Sequence, residues 1–308
     1  MSNEQETDTI KLPEPGVHYD VPFEEYKAWD AANVSLLNRM ESRSPLHARH
    51  EKDNPKSPTA ALIEGTAIHK LILEPHEFYD EYKVAPQCGA IKKSSGERCT
   101  NKATRMLADG SQYLCGVHAK GLPTVEIPAN HCIASEDFVR WKNIAKAVKN
   151  HSLANKLIES ASHTEVSLLW MDEQTGLPCK ARLDALMTGL NMLGDLKTTE
   201  DAGEDFARSV HKYSYYRQAA WYLRGAQTCG LDVDAFAFIA IEKQPPHDVV
   251  VYQTPERLTN IGNQELDGMM RKYAEVYDSG EWSGYSPTEV VWLDLPEWRN
   301  RQIERQAQ

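Results

Sequence analysis

Apolar and polar positions alternate from Cys179 to Thr198, CKARLDALMTGLNMLGDLKT, and that period predicts a β-hairpin. Ala181, Leu183 and Ala185 alternate with Arg182, Asp184 and Leu186. Thr188-Gly189-Leu190-Asn191 supplies turn residues, and Met192 to Thr198 forms the return strand. Thr164 to Trp170 (TEVSLLW) reads as a preceding strand, so a three-stranded meander is expected over 165–171, 179–187 and 192–198. Ala235–Glu242 (AFAFIAIE) is an apolar-run strand, with another from His247 to Gln253 across Pro245-Pro246.

Helical patterns surround these strands. Helices are predicted over Pro22–Trp29, over Ser35–Met40 with Ser35 as N-cap, and over Ala61–Glu74, ended by Pro75. Leu62, Thr66, His69 and Leu73 are spaced for one face of the last, which places His69 inward. Ala134–Ser160, Asp205–Gly225 and Glu256–Ser279 also read as helices, and the remainder to the C-terminus as irregular. This order implies an α/β (α+β) fold with a central mixed β-sheet flanked by helices. Residues 1–12 read as a flexible lead, 13–298 as the domain and 299–308 as a flexible tail.

Composition narrows the class. The 308 residues are 41% hydrophobic and 26% charged, typical of a globular protein. No apolar run approaches the roughly 20 residues of a membrane span, and the N-terminus lacks a signal pattern, so a cytoplasmic protein is expected. The net charge of −11 argues against a surface that coats nucleic acid, though not against a local basic channel.

Residues 86–120 break the pattern (PQCGAIKKSSGERCTNKATRMLADGSQYLCGVHAK), with glycines and short polar residues in place of an apolar period. Lys92, Lys93, Arg98, Lys102, Arg105 and Lys120 face only Glu97 and Asp109, which makes the stretch basic within an acidic chain. Cys88, Cys99, Cys115 and His118 could form a tetrahedral Cys3His site for structural Zn2+. The other reading is a flexible loop with incidental cysteines. CGA…G-x-R-C…Y-x-C-x-x-H resembles a small zinc finger that decorates varied bacterial and phage proteins. Its positive charge suggests contact with DNA backbone or a partner.

The hairpin carries the other candidate chemistry. If residues 188–191 are the loop, Met187 pairs with Met192, Asp184 lies opposite Asp195, and Lys197 shares the Asp195 face. Directly opposed residues have Cβ atoms about 5 Å apart, where like charges repel. A divalent cation would offset that repulsion. Two solvated aspartates are the plainer reading. Glu165, at the start of the first strand, could reach the cluster or simply face solvent. His69 alone reads as a hydrogen-bonded core residue. Gln218 and Tyr222, four apart, share a helix face.

Taken together, GTAIHKLILEP, TEVSLLW, CKARLDAL, GDLKTT and YRQAAWY resemble the PD-(D/E)xK nuclease superfamily, whose core is restriction-endonuclease-like. The specific similarity is to RecE-type exonucleases (exodeoxyribonuclease VIII) and their phage relatives, over roughly Val17 to Asp294. The resemblance implies catalytic roles for His69, Glu165, Asp184, Asp195, Lys197, Gln218 and Tyr222. It also implies Mg2+ (or Mn2+) held by Asp184, Asp195 and the Leu196 carbonyl, with His69 and Glu165 assisting. Arg182 joins Lys92, Lys93, Arg98, Lys102 and Arg105 as a DNA-binding candidate. The activity implied is 5′→3′ digestion of double-stranded DNA ends by a ring-shaped homo-oligomer, trimer or tetramer, that feeds a single-strand annealing recombinase. An iron–sulfur nuclease of the RecB-like or CRISPR-associated kind, and a catalytically inactive DNA-binding protein on the same fold, are the alternatives.

Overall fold

The computed structural model describes residues 12–127, 132–286 and 288–306. The lead expected over residues 1–12 lies outside them except for Leu12, which packs beside Trp29 and Leu169. In chain order the first elements are β1 (Gly16–His18), α1 (Phe23–Ala28), α2 (Val34–Ser42), α3 (Pro45–Asp53), α4 (Ala60–Leu73) and α5 (Pro75–Glu81). After β2 (Lys83–Ala85) come the short strands β3 (Arg105–Leu107), β4 (Tyr113–Leu114) and β5 (Thr124–Glu126), then β6 (Cys132–Ala134). The remainder runs α6 (Ser135–Asn150), α7 (Ser152–Glu159), β7 (His163–Met171), β8 (Pro178–Met187), β9 (Met192–Thr199), α8 (Phe206–Lys212), α9 (Tyr215–Thr228), β10 (Ala235–Glu242), β11 (Val249–Gln253), α10 (Glu256–Ser279) and α11 (Glu297–Gln306).

The central sheet has the order β1-β7-β8-β9-β10-β11 and is antiparallel except where β10 runs parallel beside β9. That one parallel pair needs a long crossover, which α8 and α9 supply. On one face α2, α9 and α10 cover Val166, Leu168, Leu183, Phe236 and Phe238. On the other, α4, α6 and α7 cover Ala185, Met187, Leu196, Ala237 and Ile239. Each cluster removes a continuous apolar surface from water, at roughly 25 cal/mol per Å². Gly262 lets α10 approach α9: a Cβ there would lie 2.8 Å from both the Ala220 Cβ and the Tyr216 carbonyl.

The meander follows the expected pattern, with Met187 opposite Met192, but its β8–β9 ladder ends at Ala185–Gly194, one step short of the expected Asp184–Asp195 pair. Several boundaries differ. α2 is capped by Asn33, whose side chain accepts the Leu36 N–H at 2.8 Å, so Ser35 lies inside the helix. Pro75 opens α5 as well as ending α4, because a first-turn proline gives up no helical hydrogen bond. The helix expected over 205–225 is two helices broken at Ser214, which adopts φ +55°. The last residues, read as a tail, carry the exposed helix α11. Among the described residues, no helix is long and apolar enough to cross a membrane.

Candidate active site

The sheet opens where the acidic residues sit. Pairing between β8 and β9 runs from Met187–Met192 to Ala185–Gly194 and ends there. Pairing between β7 and β8 skips the Glu165–Asp184 position, where Glu165 adopts φ +51° inside a strand. A non-glycine residue in that region costs of order 1–3 kcal/mol and tends to mark a functional site. Asp184 is thus free of regular pairing on both sides, and its Oδ2 accepts the Leu196 N–H at 2.9 Å. The two aspartates are not the simple one-face pair the hairpin suggested. Asp184 meets α4 through His69, and Asp195 meets α9 through Gln218.

His69 is not a core residue. The buried face of α4 is Ala67, Ile68 and Leu71, while Leu62 is exposed and His69 looks into a cleft of about 790 Å³. Its Nδ1 lies 3.4 Å from Asp184 Oδ2, the same oxygen that accepts the Leu196 N–H. Burial, with the charge of Lys197, pushes the imidazole down to about 4, so the ring is neutral near pH 7 and the contact with Asp184 is no salt bridge.

Asp195 is 1% exposed. Its Oδ1 accepts from Gln218 Nε2 at 2.7 Å. Its Oδ2 is paired with Lys197 Nζ at 2.5 Å. Tyr222, four residues on, shares the Gln218 face of α9 and lines the cleft, and burial raises its phenol well above the usual range. Burial raises the Asp184 and Asp195 carboxyls to about 6, against the pull of Lys197. Burial opposes the Lys197 charge, yet Asp195 and Asp184 hold its ammonium above the usual lysine range. Lys197 also lies 4.7 Å over the Tyr215 ring, a cation–π contact that fixes its stem.

Glu165 is tied to Arg182, whose Nε donates to Glu165 Oε2 at 2.6 Å. The same guanidinium donates to Ser167 and to the Val21 carbonyl, so Arg182 positions Glu165 and its guanidinium is largely committed. None of Lys92, Lys93, Arg98, Lys102 or Arg105 lines the cleft. Arg98 donates to the carbonyls of Gln87 and Cys88, and Arg105 pairs with Glu126.

Sequence reasoning missed Lys180. Its Nζ is buried against the carbonyls of Tyr26, Lys27 and Trp29 while the residue lines the cleft, and burial lowers it to about 8. The signal was available: residues 180, 182 and 184 share one parity along β8. Glu74 also lines the cleft, accepting from Thr164 at 3.1 Å, and burial beside Glu165 raises its carboxyl.

Among the described residues, the one group of three or more His, Cys, Asp and Glu donors within 4.8 Å of one another is Cys88, Cys99, Cys115 and His118. The cleft acids do not close to that distance, because Gln218 and Lys197 hold Asp195 and Arg182 holds Glu165.

A central mixed sheet, an acid on each strand of a splayed hairpin and a lysine two residues beyond the second acid define a PDDEXK-like domain. The family described as PDDEXK-like domain of unknown function (DUF3799) matches residues 26–289, and the chain belongs to it. Among solved structures, a protein from Eubacterium rectale described as "Putative exonuclease" is similar, with TM-score 0.56 and 12% identity over 92% of this chain and 98% of that one. At that identity the likeness is one of fold. A search of curated proteins returns no match.

Proposed function

We propose that the protein is a metal-dependent deoxyribonuclease, an exonuclease that hydrolyses phosphodiester bonds at double-stranded DNA ends. The observation that carries this reading is the meeting of Asp184 and His69 in the wall of an open cleft, with the Leu196 N–H on the Asp184 carboxylate and the Asp195–Lys197 pair buried beside them. Asp184, Asp195 and the Leu196 carbonyl would hold Mg2+ or Mn2+, with His69 and Glu165 assisting. Hard oxygen donors suit these ions, and burial raises the carboxyls of both Asp184 and Asp195, a cost that a bound cation would offset. Bound there, the cation supplies an acidified water and an offset for charge on the phosphate.

The protein's own groups divide the remaining work. Lys197 stands as an ammonium, so it donates: it orients a water or neutralises a phosphate oxygen, and it has no free lone pair with which to take a proton. Neutral His69 lends a ring nitrogen without adding charge. Gln218 fixes the Asp195 carboxylate, and Tyr222 stands on the same face of α9 at the cleft wall.

A 5′→3′ direction and a RecE-type role in phage recombination, in the cytoplasm of a bacterial or infected cell, rest on the sequence resemblance. So does the delivery of single strands to an annealing recombinase. A homo-oligomeric ring, trimer or tetramer rests on the resemblance as well; Val290, Val291, Trp292 and Leu293, 88, 72, 93 and 99% exposed, form an apolar run that association with another chain would cover. End-labelled duplex incubated with Mg2+ tests the reading. Wild type should release label and Asp195→Ala should not. Equal release by both, or none by wild type, refutes the catalytic assignment, and 5′ against 3′ label decides direction. Native mass decides the oligomer.

A further inference from the structure

The insertion between β2 and β6 has almost no core of its own. Its buried cluster is Cys88, Cys99, Leu114, Cys115 and Ala119, and the three cysteines are free thiols. Its strands β3, β4 and β5 have three, two and three residues. So small a unit does not bury enough apolar surface to repay the entropy of ordering its chain, and needs a staple.

The donors of such a staple converge. The sulfurs of Cys88, Cys99 and Cys115 and a ring nitrogen of His118 all lie within 4.8 Å of one another. Cys115 Sγ is 3.3 Å and Cys88 Sγ 3.6 Å from His118 Nδ1. Tetrahedral zinc, with Zn–S near 2.3 Å and Zn–N near 2.0 Å, sets its ligand atoms about 3.5–3.8 Å apart. An iron–sulfur cluster puts several irons between its thiolates and spreads them further. We propose that Cys88, Cys99, Cys115 and His118 bind one Zn2+ in a closed four-ligand site that folds residues 86–127.

Second contacts fit that assignment. Asn101 Nδ2 donates to Cys115 Sγ at 3.8 Å, the kind of outer bond that tempers thiolate charge. The Cys88 N–H binds the Asn101 carbonyl and the Cys99 N–H binds the Ala90 carbonyl, so the backbone around the ligands is fixed. Soft sulfur donors separate this site from the oxygen site in the cleft, and Mg2+ does not compete for it. With four protein ligands there is no open position for a reactive water, which makes the role structural. The inserted segment leaves and returns through β2 and β6, paired in parallel, and Ile133 of β6 packs in the core beneath α4 and α6. The zinc unit is therefore anchored to the helical layer that carries His69.

Elemental analysis of full-length protein, after gel filtration with a weak chelator, tests the site without reference to nuclease activity. Wild type and Asp184→Asn should each retain about one zinc per chain. Cys99→Ser and Cys115→Ser should retain less than a tenth of that, and His118→Cys should keep it. Cobalt substitution of wild type should give intense tetrahedral visible bands and thiolate charge transfer. Limited proteolysis of stripped protein should cut within 86–127 and leave the remainder resistant. Zinc-free wild type, a brown iron-containing protein, or zinc retention unchanged by both serine variants overturns the proposal. If the serine variants do not fold, wild-type stoichiometry and the cobalt spectrum decide alone.

Discussion

The Gln218 side-chain amide donates to Asp195 Oδ1 at 2.7 Å, which locks a residue of the crossover helix α9 to the acid of β9. Gln218→Leu removes that lock and keeps the volume roughly constant. Loss of an outer-shell partner typically costs about 10–100-fold in metal affinity or activity. The expected result is a rise of that size in the Mn2+ concentration that half-activates DNA digestion, with the melting temperature nearly unchanged. A metal titration identical to wild type would remove Gln218 from the site.

Asp184 and Asp195, both held at about 6, make stability and cation binding depend on pH. Their folded-state values lie above the unfolded 3.8, so the folded state binds these protons more tightly. The stability they contribute is complete below about pH 3.8 and is lost as pH rises through about 6. A cation needs both groups ionised. Mn2+ should therefore raise the melting temperature little at pH 5 and by several degrees at pH 8, and Asp184→Asn should abolish that gain. Scanning calorimetry in both buffers checks this, and a cation effect independent of pH would contradict it.

Lys180 joins the end of α1 to the sheet. Its ammonium donates to three carbonyls at 2.6 to 3.0 Å. Lys180→Met strips three partly buried acceptors of their partner, at about 3 kcal/mol in all. Urea denaturation should show that loss. A midpoint within error of wild type would mean that the carbonyls find other donors.

Gly262 sets the distance between α9 and α10. Gly262→Val puts side-chain atoms against the Tyr216 carbonyl, a backbone group that cannot swing away. Overpacking of this kind costs about 1–3 kcal/mol. Because α9 carries Gln218, DNA digestion should fall by more than the lower stability explains when assayed well below the melting temperature. Full activity there would show that the helix absorbs the change without moving its polar face.

The hairpin was legible because its information is local. Period-two alternation, turn residues at 188–191 and a two-methionine closure fix which residues pair, and Met187 stands opposite Met192 as read. The order of the meander, β10 and α10 also followed from runs long enough to have one solution. The helix boundaries at Asn33, Pro75 and Ser214 were harder, since a cap or a break is a contest between neighbouring residues. His69 was read inward from spacing alone. Spacing says which residues share a face, not whether that face meets core or cleft.

The sequence by itself determined the chemical inventory: two acids and a lysine on one hairpin, a histidine on an earlier helix, an amide on a later one, and three thiols with a histidine in a basic insertion. Tertiary structure alone decided their state. It ended the β8–β9 ladder at Ala185–Gly194, turned Asp184 toward α4 and Asp195 toward α9, and committed Arg182 to Glu165. The reason is that pairing and protonation at this site depend on burial and on charges from segments more than a hundred residues apart, such as His69 and Lys197. Those neighbours exist only once both faces of the sheet are covered.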